Sequence, residues 1–403
     1  MAQRGLLKLG KRTPVIASYA RTPIGAFNGA LASLKAPELG AIAIKGACAR
    51  AGITGKDVEE VLMGNVVSAG VGQAPATQAA IFAGLGEDIP STTINKVCAS
   101  GMKSVMMAAT QIALGLRDVV VCGGMESMSN VPHYAHLRSG LRLGDGKLVD
   151  GVIFDGLWDP YGDQHMGSCA EKCAADHGIS RDDQDAYAEL SYERSRAAKS
   201  FHAQEIEPVE VKQRKKTITV DEDEEPSKDT SRLRSLRPAF LKDGTVTAAN
   251  ASKLNDGAAS LVVMSLEECE KRSLEPLCAI AGFGDAQREP VDFTIAPSLA
   301  VPAALAHAEL AMSDVSLHEV NEAFAVVALA NAQILNVDVD KVNQKGGAVS
   351  LGHPIGMSGA RIVGSLAMQL EAVGVASICN GGGGASAIVL TKLLTPLEAR
   401  ARP

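Results

Sequence analysis

The sequence predicts an α/β fold made of two related halves, with a further domain inserted into the first half. Three observations carry this. Strand-like apolar runs alternate with helical stretches at both ends of the chain, two long segments share one order of features, and the section between them is far more charged. Composition permits such a fold: 46% of the 403 residues are hydrophobic and 21% charged, which suits a large packed core and not a disordered chain. Aromatic residues are only 3% against 40 glycines, so the layers are aliphatic and tight turns are many.

The elements follow in order. "TPVIASYA" (13–20) reads as a strand, and "PELGAIAIKGACARAG" (37–52) as a helix that opens near Pro37 and closes near Gly52. "VEEVLMGNVV" (58–67) and "RDVVVCGGM" (117–125) are further strands. Strands separated by helices imply βαβ units and buried, mainly parallel sheets. Residues 129–244 then change character, with the runs "KQRKK" and "DEDEE", the single Trp158, and a mostly polar helix "SRDDQDAYAELSYERSRAAKS" capped by Ser180. Charge runs of this kind read as solvated faces, and the section reads as a lid. From residue 269 the βα alternation returns. The predicted boundaries are 1–128 with 245–268 for the first half, 129–244 for the insert and 269–403 for the second half.

The duplication rests on "INKVCASGMKSVMMAATQIALGLRDVVVCGGMES" and "VNQKGGAVSLGHPIGMSGARIVGSLAMQLEAVGVASICNGGGGAS". Each starts strand-like, passes a Gly-Met turn (Gly101-Met102, Gly356-Met357) and continues as an amphipathic helix. Each ends in an apolar strand that runs into glycines after Cys122 or Cys379. Met102 and Cys122 are 20 positions apart, Met357 and Cys379 22. Two such halves packed together bring their strand–helix corners to one centre, where α/β sheets place ligands.

The net charge of −7 argues against a generic nucleic-acid binder, although a small anionic ligand needs only a local basic patch. The eight cysteines are scattered through apolar or helical segments, so they read as buried free thiols. Cys169 and Cys173 sit at helical spacing without the further ligands a metal would want, and read as core. No apolar run is long enough to cross a membrane. The N-terminus "MAQRGLLKLGKR" is basic, and no acidic residue precedes Glu38. It is too short in apolar residues for a secretory signal, and suits the tail of a mitochondrial presequence or a solvated arm equally.

Cys98, in "NKVCASGMKS", lies where a strand gives way to a helix. A helix N-terminus stabilises an anion by about 0.3–1 kcal/mol, which favours the nucleophilic thiolate; the alternative is a small buried core residue. "SLGHPIGMSGAR" holds His353 between Gly352 and Pro354, "HEVNEAFA" puts Asn321 and Glu322 at a strand–helix junction, and "SICNGGGGAS" sets Cys379 before four glycines. Those glycines read as N–H groups for an oxyanion, or as a tight turn only. A nucleophilic Cys needs a base and its thioester an oxyanion hole. A second Cys able to move a proton to or from carbon points past hydrolysis to making or breaking a carbon–carbon bond.

"VCASGMKS", "GGMESMSNVP", "NASKLNDGAA", "VNEAFA", "GGAVSLGHPIGMSGAR" and "CNGGGGAS" resemble the thiolases, and the similarity runs from "ARTPIGAF" to "ASAIVLTKL". "GQAP", "HMGSCAE" and "DFTIAP" are most similar to the mitochondrial-type acetoacetyl-CoA thiolases within that family. The resemblance implies the thiolase fold, two βαβαβαββ halves with a loop domain over the coenzyme A site, and a homotetramer built as a dimer of dimers. It implies that Cys98 is acetylated, that His353 activates it, and that Cys379 is the acid/base at the acetyl α-carbon. Asn321 would hold a water in one oxyanion hole, and the N–H groups of Cys98 and Gly381 would form the other. The substrates implied are acetyl-CoA, acetoacetyl-CoA and CoA, with Phe293 in the segment tied to 2-methyl-branched substrates.

For coenzyme A the matching positions are Ser227, Lys228, Asp229, Arg232, Ser252, His165, Met166 and Tyr192, with plain surface solubility as the other reading of the arginines. For a potassium ion they are Tyr192, Ala248, Ala249, Ala251 and Val349. Lys253 after Ser252, and Thr77 where an arginine is common, depart from the family pattern. The resemblance implies a mitochondrial location, with cytoplasm as the alternative, and no partner in nucleic acid or membrane. A broad-chain 3-ketoacyl-CoA thiolase and a non-catalytic acyl-CoA-binding relative are the competing functions.

Overall fold

The structure, a computed structural model, describes residues 10–214 and 216–393. Residues 1–9 of the basic stretch "MAQRGLLKLGKR", read as a presequence tail or a solvated arm, lie outside the described residues. The first half runs β1 (Pro14–Arg21), β2 (Gly25–Ala26), α1 (Ala36–Arg50), β3 (Glu60–Gly64), α2 (Pro75–Phe82), β4 (Ser91–Ile94), α3 (Ser100–Ala113) and β5 (Val119–Ser127). Next come the ribbons β6 (His133–Tyr134) with β7 (Val149–Asp150) and β8 (Trp158–Asp159) with β9 (Gln164–His165). Helices α4 (Met166–His177), α5 (Arg181–Ala197) and α6 (Lys199–Glu205) follow, then the hairpin β10 (Val209–Gln213) and β11 (Lys216–Val220). Ser180 caps α5 as predicted, its hydroxyl accepting the Asp183 N–H. β12 (Asn255–Ser265) and α7 (Leu266–Lys271) lead to the second half: β13 (Cys278–Gln287), α8 (Pro297–His307), β14 (Leu317–Val320), α9 (Ala325–Leu335), α10 (Ala348–Leu351), α11 (Ile355–Gln369), β15 (Val373–Asn380) and β16 (Gly384–Thr391).

The duplication is visible in the sheet. From a seam of two residue pairs, Val15↔Ala279 and Ile16↔Cys278, one half reads β1, β12, β5, β3, β4 and the other β13, β16, β15, β14. Where the second half would repeat β4 there is a single bridge, His318↔Val342. The predicted strand-like start of the second segment is thus reduced to one residue pair, and the chain there goes on through turns into α10.

The prediction of mainly parallel sheets is corrected. Among the strand pairs of the described residues, β3–β4, β3–β5 and β14–β15 are parallel and the rest antiparallel. β16 follows β15 through a turn with no helical crossover, so it must run back antiparallel, and β12, β1 and β13 extend the same pattern.

The Gly-Met pairs are not turns. They lie in the first turns of α3 and α11, and these two helices pack on each other between the halves. Gly101 and Gly359 make the approach possible: a Cβ on Gly101 would stand 2.8 Å from the Ala360 nitrogen, and one on Gly359 2.4 Å from the Met102 nitrogen. Met102 and Val105 of α3 meet Met357, Ile362 and Val363 of α11 in this central core. On the outer faces α1 packs Leu39 and Ile44 with Val121 and Val262, and α8 packs Val301 and Ala304 with Val375 and Val389.

"DEDEE" departs from the solvated-face reading. Asp223 takes two hydrogen bonds from the fully buried Arg21 guanidinium, at 2.7 and 2.9 Å, and one from the Ile24 N–H at 2.8 Å. Arg21 also donates to buried Glu205 of α6 at 2.9 Å. Glu224 accepts from the Ala26 and Ala30 N–H groups, and Glu225 is buried. Only Asp221 and Glu222 of the run face solvent; the other three fasten the insert to the first half.

Candidate active site

Cys98 sits on a tight corner between β4 and α3. Val97 before it has φ +48°, a left-handed conformation that costs a β-branched residue about 1–3 kcal/mol. Side chains fix the corner: the Val97 N–H donates to Asn95 Oδ1 (2.9 Å), the Lys96 N–H to Ser100 Oγ (2.8 Å), and that hydroxyl to the Val97 carbonyl (2.6 Å).

The Cys98 sulfur is buried, and burial pushes its pKa up to about 12 even though the N–H groups of Gly381 and of Cys98 itself point at it and lower it. The expectation that the helix end favours thiolate is corrected on this point. Desolvation outweighs the N–H groups, so the resting group is a thiol.

The second half supplies the surroundings. β15 delivers Cys379, wholly buried, whose pKa is raised well above the ordinary thiol value by burial and then by Cys98, so the two sulfurs feel one another. The glycine run after it is the tight turn that the sequence offered as one of two readings. It is the turn from β15 to β16, with Gly382 and Gly383 at positive φ, and it carries Gly381 to the nucleophile. A Cβ on Gly381 would lie 3.6 Å from both Val97 and the Met166 sulfur. The loop before α11 rests on the first turn of α3, where Gly101 meets the Gly356 carbonyl.

His353 is anchored on three sides. Its backbone N–H donates to Asn255 Oδ1 (2.9 Å), Nδ1 faces Ser358 Oγ (2.6 Å), and Nε2 lies 3.4 Å from Asn321 Nδ2. Because Ser358 Oγ donates onward to the Pro354 carbonyl, the proton belongs on Nδ1, leaving the Nε2 lone pair facing the site. Burial, with Arg361 adding to it, lowers the imidazole pKa to about 3, so it is a neutral base at rest. Gly352, at φ +112°, is required here, since a Cβ would stand 2.6 Å from the Asn255 amide. Asn321 follows β14; its Oδ1 is buried with no partner among the described residues, an acceptor that suits a bound water.

Three residues escaped the sequence reading. Asn255 lay inside the quoted "NASKLNDG" but only Ser252 was singled out. Ser358 follows His353 by five positions, a spacing with no helical meaning until Pro354 sets the helix start. Glu126, in the apolar strand "GGMES", is fully buried and takes N–H bonds from Val66, Val67 and Gly356, and burial raises its pKa to about 7. A carboxylate in a core strand was the available signal.

Of the coenzyme A positions, Met166 lies beside Gly381 and packs with Cys379, while His165 before it caps α4 by accepting the Gly167 N–H (3.0 Å) and stacks on Phe240 at 4.8 Å. Ser252 joins through its N–H to the Ala323 carbonyl (3.0 Å), two residues from Asn321. Ser227, Lys228, Asp229 and Arg232 are exposed, with Lys228 paired to Glu225 (2.8 Å). Arg234, in the same stretch, is exposed as well and pairs with Glu189 (2.6 Å). Phe293 packs with Met166, Phe324 and Cys379 behind the site.

The potassium expectation does not fit. Tyr192, Ala249 and Val349 do share one cluster, and Ala248 is exposed beside it. However, the Lys253 ammonium already binds two of the named carbonyls, Ala251 at 3.1 Å and Val349 at 2.6 Å, and lies 5.2 Å from the Tyr192 ring centroid. A bare cation and an ammonium cannot share the same oxygens without strong repulsion.

Two cysteines, an oriented neutral histidine and a glycine turn at the junction of duplicated halves define a class, and comparison with known proteins gives the same class. Residues 14–267 match the thiolase N-terminal domain and residues 274–392 the thiolase C-terminal domain, so the chain belongs to the thiolase family. It is 54% identical over 386 residues to the mitochondrial acetyl-CoA acetyltransferase A of Xenopus laevis, covering 94% of this chain and 92% of that one. It is 51% identical over 387 residues to a cytosolic acetyl-CoA acetyltransferase of Gibberella zeae, covering 94% and 98%. A thiolase from Ascaris suum crystallised with coenzyme A superposes with a TM-score of 0.90 at 44% identity, covering 94% of this chain and all of the other.

Proposed function

We propose that this thiolase is an acetyl-CoA C-acetyltransferase that cleaves acetoacetyl-CoA with CoA, and forms it in reverse. The observation that carries the reading is the convergence on one corner: the turn after Cys379 sets Gly381 beside Val97, next to Cys98, and the loop of His353, whose ring faces Asn321, rests on the first turn of α3. In the cleavage direction the Cys98 thiol gives its proton to His353 Nε2 and its sulfur attacks the 3-keto carbon, with Asn321 and a water, or the Cys98 and Gly381 N–H groups, holding the oxyanion. The C2–C3 bond breaks, its electron pair takes the proton of Cys379, and acetyl-CoA leaves. The Cys379 thiolate then removes the CoA thiol proton, CoA attacks the acetyl carbon, and the Cys98 sulfur departs with the proton from His353.

We read residues 129–244 as the domain that covers coenzyme A, with Ser227, Lys228, Asp229 and Arg232 toward its phosphates and Ser252, His165 and Met166 along its pantetheine arm. Met166, Phe293 and Phe324 close the space behind Cys379, which supports a short acyl chain. Potassium has no part in this reading, because Lys253 takes its place. Exposed Leu137, Leu141, Leu143 and Leu148 in the insert and the edge strand β4 support a tetramer, and a single-chain mass by light scattering would remove that part. The likeness to a mitochondrial relative supports a mitochondrial location, and the likeness to a cytosolic one keeps the cytoplasm as the alternative; cytosolic staining of the tagged chain would overturn the first.

The test is CoA-dependent cleavage of acetoacetyl-CoA, 2-methylacetoacetyl-CoA and 3-ketohexadecanoyl-CoA. Fast turnover of the short substrates alone is expected. Preference for the long one would make the protein a broad-chain thiolase, and no turnover of any would make it a binding relative.

A further inference from the structure

Lys253 stands between two residues of the site, Ser252 and, two positions on, Asn255, whose side chain holds the His353 N–H. Its ammonium donates to the carbonyls of Ala251 and Val349. Among the described residues no backbone N–H is directed at either oxygen, so the lysine satisfies two acceptors that the backbone leaves open. The face of Tyr192, from α5, closes a further side as a cation–π contact. Burial disfavours the charge and lowers the Lys253 pKa to about 8; Glu225 and buried Glu322, which also binds the Val349 N–H at 2.9 Å, favour it, while Lys228 opposes it. One ammonium therefore ties together the loop 247–253, the short helix α10 and the insert, and α10 leads directly through Gly352 to His353.

We propose that Lys253 is a tethered cation: its ammonium clamps the Ser252 loop to α10, positions Ser252 and His353, and makes catalysis independent of free monovalent cations. The proposal rests on the acetyltransferase reading for its kinetic consequence but not for its structural one. A covalently held ammonium needs no ion to be captured from solution, so the cage is formed in any salt. Lys253 touches neither nucleophile nor base; it acts through the backbone of α10, which leads to the base.

The experiment compares wild type, Lys253→Ala and Lys253→Met in potassium, sodium and choline chloride at equal ionic strength, reading thiolysis of acetoacetyl-CoA and Tm. Wild type is expected to show the same rate and Tm in all three. Lys253→Ala is expected to lose about ten- to a hundred-fold in kcat/KM in choline, through misplacement of the base. It is expected to recover much of this, with a rise in Tm, in potassium, which enters the vacated cage. Lys253→Met fills the space without charge and is expected to be slow in every salt.

Activation of the wild type by potassium would overturn the proposal. So would a full wild-type rate for either variant in choline, or a loss in Lys253→Ala that no cation repairs in rate or Tm. Failure of the activity reading looks different. Wild type would then be inactive in every salt, while the potassium-specific rise in Tm of Lys253→Ala would still report the cage.

Discussion

At Cys98 two effects oppose each other. Burial raises the thiol pKa and the N–H groups of Gly381 and Cys98 lower it; burial is larger and leaves it at about 12. At His353 burial lowers the imidazole to about 3. The resting pair is therefore thiol and neutral imidazole, not an ion pair, and proton transfer belongs to the attack itself. Alkylation of Cys98 by iodoacetamide in the free enzyme is expected to show no inflection between about pH 5 and about pH 9; a titration near neutrality would mean that the ion pair forms at rest. Asn321→Ala is expected to lower kcat by about a hundred- to a thousand-fold with little change in KM for CoA; a change confined to KM would place the amide outside the oxyanion hole. The chemistry-bearing residues were legible because each stands in a long motif at a strand–helix corner. Lys253 was read only as a departure from the pattern, because spacing along the chain cannot show a side chain folding back onto Ala251 and across to Val349.

Between elements, the α3–α11 contact carries the site, since the Cys98 corner opens one helix and the His353 loop opens the other. The sequence indicated the repeat through the shared offsets, but it gave the Gly-Met pairs the wrong role. Glycine signals a turn or a close approach equally well, and the choice depends on a partner more than two hundred positions away. Gly359→Ala would place a methyl 2.4 Å from the Met102 nitrogen, which must move the helix and not merely a side chain. An expected loss of about 1–3 kcal/mol, read by urea unfolding, should come with slower acetylation of Cys98. An unchanged rate would show that the corner is insulated from the contact. Strand direction was misjudged for a related reason: alternation of strands and helices reveals crossovers, not the strands that close each half by a turn.

For the whole molecule, Arg21, Glu205 and Asp223 join β1 to the insert in a site without water-exposed charge. Burial alone would raise the Glu205 pKa; Arg21, then His202 and Ser365, more than offset this and hold it at about 2, below its ordinary 4.5. A carboxylate with a depressed pKa contributes stability above about pH 4.5 that is lost as pH falls toward about 2. Arg21→Met should cost about 3–5 kcal/mol near neutral pH by leaving two buried carboxylates uncompensated, and the cost should shrink in acid as they take up protons. A cost that is constant with pH would place the effect in packing alone. The "DEDEE" run hid this joint, because composition records charge but not the buried arginine that meets it.

The central claim is that Cys98 takes the acyl group. The direct measurement is to mix the enzyme with acetyl-CoA without a second substrate, quench in acid, digest, and locate the acetyl group by mass spectrometry. An acetyl thioester on Cys98, absent in Cys98→Ser and released by added CoA, is the predicted result. An unmodified Cys98, or an acetyl group on Cys379 instead, would contradict it.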